Sequence, residues 1–205
     1  MRTETRSAVD ERLHAEQAEA ERLESCLHAI RQTLAVIGAR ANDYAREIRE
    51  TKEYMWEARR DLDHIDKIAM HQVIEQKSRS AEVLTDRRKK LGKTLASPYF
   101  GRFDFARTAA PDATEPIYVG IHDFRDEESG DTWVHDWRAP VSSVFYDFET
   151  GPAHYDAPGG EVRGRVGLKR QFRIRTGRME LMLDTGVNIV DDVLQDELGR
   201  ASTTG

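Results

Sequence analysis

The densest chemistry in this sequence lies between residues 53 and 66. Glu53, Glu57, Asp61, Asp63 and Asp66 stand there against only Arg59 and Arg60, a net charge of −3 over 14 residues. Carboxylates set this close offer hard oxygen ligands to a cation such as Mg²⁺, and they repel phosphate. Asp61 and Asp63 are also good helix N-caps, so the same residues serve equally to start a helix and solvate a turn. Trp56 sits among them. A tryptophan at such a place either anchors an interface or packs locally against Leu62 or Ile65.

Two basic sets come next. Arg87, Arg88, Lys89 and Lys90, with Lys93 close behind, form a collar. Such a collar either complements the dipole at a helix C-terminus or meets an acidic partner. Arg163, Arg165, Lys169, Arg173 and Arg175 alternate with Val162, Val166, Leu168, Phe172 and Ile174. That spacing predicts a strand with one basic face, open to a partner or to phosphates, unless nearby acids neutralise it. His122, His135 and His154 match no tight zinc spacing and have no cysteine partner, so no metal site is expected. Ser142 and Ser143 have no triad context, and no catalytic residue is expected.

Two long helices are expected to position these groups. Leu13, Ala20, Leu27, Leu34, Ala41, Ile48 and Met55 recur every seven residues, and Leu23, Ile30, Ile37 and Tyr44 fill the other seam position. A heptad sustained over about six repeats predicts a coiled coil. Helix 1 is expected from Ser7–Asp10 to about Arg60, roughly 75 Å at 1.5 Å per residue, with Gly38 on its exposed side. A tight turn over residues 58–64 leads to helix 2, whose apolar face is read as Ile65, Met70, Ile74, Ala81, Leu84, Leu91 and Leu95, interrupted by Lys67, Lys77 and Arg88. Helix 2 ends by Ser97-Pro98, because the residue before proline is pushed out of the α region. Being shorter, it leaves the first 20 or so residues of helix 1 to pack on the remainder of the chain.

From Tyr99 the period changes to two. Residues 102–105, 116–124, 132–137 and 161–175 read as strands. Residues 141–148 read as a helical turn or short strand, Gly151-Pro152 and Pro158-Gly159-Gly160 as turns, and Thr176-Gly177 as a hairpin loop to residues 179–183. A last helix is expected over Val190–Leu198. The fold class is therefore α+β: an antiparallel coiled-coil hairpin over 1–97, then a small, mainly antiparallel β body over 98–205.

The chain is 33% charged and 39% hydrophobic, which suits a solvated helical hairpin with a modest core. Residues 1–100 carry net +1 and residues 101–205 net −7, the opposite of the basic footprint of a protein that holds DNA by bulk charge. Cys26 is the only cysteine, so no internal disulfide can form and a reducing compartment is expected. There is no apolar leader, and no run reaches the roughly 18 apolar residues of a membrane span. A cytoplasmic, monomeric chain with no membrane partner is the expectation.

Specific phrases mark the second half. Ser97-Pro-Tyr-Phe-Gly-Arg-Phe-Asp-Phe105 is followed by Ile117-Tyr-Val-Gly-Ile121, Asp136-Trp-Arg-Ala-Pro-Val-Ser-Ser143, Leu168-Lys-Arg-Gln-Phe172 and Leu194-Gln-Asp-Glu-Leu-Gly199. In this order the chain resembles the N-terminal region of HelD-type proteins, helicase IV-like ATPases of the UvrD/Rep superfamily that bind RNA polymerase. The resemblance implies a coiled coil that enters the secondary channel of core RNA polymerase, with ATP-driven movement releasing stalled enzyme from nucleic acid. On this reading Trp56, Glu57, Asp61, Asp63 and Asp66 form a partner-binding tip that reaches toward the polymerase metal. The collar and the basic strand become possible polymerase or nucleic-acid contacts. The family's ATPase core needs Gly-x4-Gly-Lys-Ser/Thr. Gly92-Lys93-Thr94 is not such a loop, because Arg87 stands where its first glycine belongs and no strand precedes it. No cofactor is expected in this chain, with ATP and Mg confined to a longer relative, of which this would be a fragment or truncated piece. Two alternatives remain: a DNA-binding accessory region of a superfamily 1 helicase, and a plain dimerisation coiled coil.

Overall fold

A computed structural model describes residues 2–127 and 129–184, with side chains from Asp10 onward. The expected helix over Val190–Leu198 lies outside them. Helix α1 spans Arg2–Glu57 and α2 spans His64–Thr94. Strands β1 (Gly101–Arg107), β2 (Thr114–Gly120), β3 (Phe124–Arg125) and β4 (Thr132–Asp136) follow. A 3-10 turn (Pro140–Ser142) leads into the short helix α3 (Ser143–Asp147). Strands β5 (Gly151–Ala157), β6 (Gly160–Arg175) and β7 (Arg178–Asp184) complete the described chain. The fold class is the expected mixed α+β. Its residues group into two compact units, one of Arg31–Gly92 and one of Met1–Ile30 with Lys93–Gly205.

In the first unit, α1 and α2 make a hairpin. Ala58 closes the end of α1 by accepting from the amides of Asp61 and Leu62. Asp63 then caps α2, its Oδ1 accepting from the Asp66 amide at 2.8 Å, which satisfies one of the orphan donors of a helix start. On α1 the heptad positions Leu34, Ile37, Ala41, Tyr44, Ile48, Thr51 and Met55 are partly or fully buried, with Thr33, Gly38, Asp43 and Glu47 half-buried beside them. On α2 the seam differs from expectation. Ile65 is off it, 75% exposed. Its partly or fully buried positions include Lys67, Met70, Ile74, Lys77, Ala81, Leu84 and Leu91, so the two lysines expected to interrupt the seam occupy it, while Arg88 is exposed. Lys77 reaches across to the Glu47 carboxylate, which is why a charge can sit there. Gly38 is likewise not on the outer side. It is half-buried, and a Cβ on it would lie 3.9 Å from Arg88 Cζ, an ordinary contact, so an alanine would fit there.

The second unit is built on one sheet of order β3-β4-β2-β1-β6-β5, with β7 on the other half of β6. All pairs are antiparallel except β2 with β4. Strand β5 lies where only turns were expected. Pro152 and just two buried apolar residues, Ala153 and Tyr155, hide its period, and proline is tolerated there because β5 is an edge strand. Two-residue loop Thr176-Gly177 takes positive φ at both positions, 49° and 73°, matching the twist of the β6–β7 hairpin. One sheet face carries Phe103, Phe105, Ile117, Val119 and Val166 against Val144 and Phe145. On the other, Tyr118 and Phe172 pack with Tyr99, and the sheet meets α1 through Glu19. Leu23, Cys26, Leu27 and Ile30 of that stretch of α1 are all buried.

A bulge decides which side chain faces where on β6. Asp104 pairs with Leu168 but Phe105 pairs with Val166, so Gly167 is an extra residue. Side chains alternate strictly along a strand, and one inserted residue exchanges the two faces beyond it. Val166 lies beside Phe105, yet Lys169 lies beside Phe103 on the same core face. The predicted single basic face is thus divided.

Candidate functional site

Four large apolar side chains are exposed around the hairpin turn: Tyr54 at 53%, Trp56 at 69%, Ile65 at 75% and Ile68 at 45%. Trp56 is more than half exposed, although its local reading would pack it on Leu62 or Ile65. Its ring is covered on one side by Arg59, whose guanidinium carbon lies 4.6 Å from the ring centroid, and Arg59 Nη1 donates to the Trp56 carbonyl at 2.7 Å. That brace fixes the indole on the surface. Glu57, Asp61, Asp63 and Asp66 are all exposed. Asp63 is committed to capping, whereas Asp61 and Asp66 are given no side-chain ion pair by the described residues. No three His, Cys, Asp or Glu side chains among the described residues are grouped to hold an ion. The carboxylates present an acidic surface rather than a preformed cation site.

The collar residues Arg87, Arg88, Lys89 and Lys90 are exposed. Four consecutive helical residues turn through about 300°, so they ring α2 instead of forming a face. Lys89 lies 3.6 Å from Asp86. In the strand set, Arg163 is bound by Glu161 at 2.6 Å and Arg175 lies 3.5 Å from Glu180. Arg165 is exposed and Arg173 half-buried. Lys169 departs from the expected surface position, its side chain only 2% exposed. Its Nζ donates to the Phe148 carbonyl at 2.9 Å and sits over the Phe145 ring. Burial there pushes its pKa down, against the pull of Glu149 and Asp147.

Sequence reasoning missed Glu19, a charged residue 1% exposed. Arg102 Nη1 and Arg170 Nη1 both donate to its Oε1, and Tyr118 donates to its Oε2 at 3.0 Å. Arg102 is also held by both oxygens of Asp104, and Arg170 by Asp184 at 2.5 and 3.1 Å. Burial raises the Tyr118 hydroxyl to about 12, with the Glu19 charge adding to it. Nearby, Arg22 lies 3.9 Å over the Trp133 ring. The network ties α1 to the sheet through Glu19. Asp136-Trp137-Arg138 is also structural: Arg138 Nε and Nη2 each donate to Asp136 at 2.9 Å, which lowers the Asp136 pKa.

With this geometry in view, comparison with protein families is decisive. Residues 13–199 match the family described as DNA helicase IV HelD, N-terminal domain. The chain belongs to that family. No curated protein matches it significantly. The match covers both units, so the helical hairpin and the sheet with its α1 segment are parts of one HelD-type N-terminal domain. No described helix is long and apolar enough to cross a membrane.

Proposed function

We propose that this HelD-type domain is the non-catalytic, polymerase-binding region of an ATP-driven transcription factor. The hairpin enters the secondary channel of core RNA polymerase, and the sheet unit joins it to a helicase-like motor that releases or recycles stalled enzyme. The observation that supports this best is the hairpin turn itself. It combines exposed Trp56, braced by Arg59, with exposed carboxylates at Glu57, Asp61, Asp63 and Asp66. Two paired helices are narrow enough for a channel, and an acidic end suits a cavity whose catalytic metal seeks oxygen ligands. Arg87, Arg88, Lys89, Lys90, Arg163, Arg165, Arg173 and Arg175 are the secondary contacts proposed with polymerase or nucleic acid. Lys169 is left out because its amine is buried.

The chain acts in the cytoplasm as a monomer, its two helices satisfying each other within one molecule. Charge reversal at Asp61 and Asp66, with Asp63→Asn to preserve the cap, is expected to reduce release of polymerase by the full-length protein more than it reduces binding. A release assay beside a core-polymerase pull-down checks this, and unchanged release sinks it. A DNA-accessory role predicts instead a steep salt dependence of binding to free duplex, and a dimerisation role predicts a dimer in light scattering.

A further inference from the structure

We infer that the hairpin tip binds as an apolar peg: Trp56 and Ile65, flanked by Tyr54 and Ile68, are its anchors, and the surface they fit is a concave protein pocket with an apolar floor and a basic rim. This rests on the polymerase reading above and names the chemistry of its contact.

Exposure is the first ground. Eight large apolar side chains are exposed among the described residues, and half of them fall within residues 54–68. The rest, Leu13, Val36, Val73 and Val83, are spread over the remaining helical length, and none lies in the sheet. Single exposed apolar residues need no explanation, but a cluster at one end of an element does. These residues leave about half or more of their surface to solvent. Trp56 is 69% exposed with Arg59 over its ring, and Ile65 is 75% exposed, outside the seam.

Direction is the second ground. Residues two apart on a helix point to different sides, so Tyr54 and Trp56 cannot share a flat face. Ile65 and Ile68, three apart, do share a side of α2. Apolar groups pointing to several sides of one tip are all buried together only by a socket.

Charge selects the occupant. Glu53, Glu57, Asp61, Asp63 and Asp66 against Arg59, Arg60 and Lys67 leave the tip over residues 53–68 at net −2. That charge repels nucleic-acid phosphates, anionic lipid and the tip of a second copy, and it attracts a basic protein rim. The two kinds of group then divide the work. Desolvated aromatic and aliphatic anchors set the dissociation rate, whereas exposed rim charges mainly set the association rate and its salt dependence.

The test is binding of the full 205-residue chain to core RNA polymerase, followed as association and dissociation rates, for wild type, Trp56→Ala, Ile65→Ser and Asp61→Asn/Asp66→Asn. Thermal melts accompany each, and the exposed positions are expected to leave them unchanged. Each apolar truncation is expected to raise Kd about tenfold or more through faster dissociation. The double amide variant is expected to change Kd less than about fivefold, by slowing association at low salt. Wild-type affinity in Trp56→Ala and Ile65→Ser overturns the peg while leaving the polymerase reading intact, as does a loss confined to the amide variant. Failure of the wild-type chain to bind overturns the polymerase reading, and the peg with it.

Discussion

The hairpin of Arg31–Gly92 and the sheet unit are made on opposite principles. Among the described buried apolar side chains, only Ile37 and Leu91 belong to the hairpin, and the rest lie in the sheet unit. Among the large apolar side chains left exposed, the hairpin holds all but Leu13. The sheet unit even buries charge, closing Glu19, Arg102 and Arg170 into one network. In the hairpin, the ion pair of Lys77 with Glu47 lies at the half-exposed edge of the seam. One unit concentrates its stability in a dry interior. The other spreads a modest amount along a seam and leaves its outer surface for recognition. The same contrast appears in the kinds of residue that each can lose.

The largest expected effect breaks the dry interior. Phe103 is fully buried between Phe105 and the α3 residues of the core. Phe103→Ala should cost about 3–5 kcal/mol, because a large cavity cannot collapse among aromatic neighbours. Ile74→Ala, at a half-buried seam position, should cost only about 1–2 kcal/mol, in proportion to the area it removes from water. Chemical denaturation of both variants checks the ratio. Equal losses would mean that the hairpin seam is as tightly packed as the sheet core, and the contrast would fail.

That contrast also explains what the sequence disclosed. The heptad of α1, the turn after residue 57 and the Asp63 cap are local features, and local chemistry decides them. Apolar character alone does not place the α2 seam, because Lys67 and Lys77 are half-buried in it and Lys77 carries its charge to Glu47. The faces of β6 were misread because alternation is reliable only between bulges. Gly167 reversed it, moving Lys169 from the expected surface into the core. Glu19 left no signal, since one glutamate among many on a charged helix looks solvated until its distant partners arrive. Of the tip, the carboxylates and Trp56 were legible. Ile65 was not, because it had been assigned to the seam.

The second expected effect falls on Glu19. Glu19→Ala leaves Arg102 and Arg170 buried without the acceptor they share. Breaking a buried ion pair from one side typically costs 3–5 kcal/mol, since the remaining charge stays desolvated. Here each arginine keeps its own carboxylate, Asp104 or Asp184. The expected loss is therefore near the lower end, about 3 kcal/mol. Loss of hydrogen-exchange protection in the stretch of α1 around Leu23–Ile30, measured beside the stability, would tie the effect to docking of that helix on the sheet. A loss under about 1 kcal/mol would mean that water reaches the network, and that burial of charge does not distinguish the two units.

Lys77→Met sharpens the same point from the other side, and its expected effect is the smallest. The pair it removes is chemically the equal of Glu19 with Arg170, a lysine or arginine held by a glutamate far away in sequence. The difference is exposure: the Lys77 and Glu47 side chains are open by 29% and 42%. Solvent therefore screens their attraction, and Glu47 keeps access to water when the lysine is gone. Methionine returns some apolar area to a seam position flanked by Ile74 and Ala81. These opposing terms should leave stability within about 1 kcal/mol of wild type. What the lysine contributes is discrimination. A charged seam residue with one partner at a set height favours the register that brings Glu47 opposite it, and disfavours pairings between chains that do not. Lys77→Met should therefore leave the melting midpoint nearly unchanged while raising the dimer fraction in light scattering at high protein concentration. A large loss of stability with no change in association would place Lys77 beside Glu19 as a structural charge. Each unit would then rely on structural charge within itself.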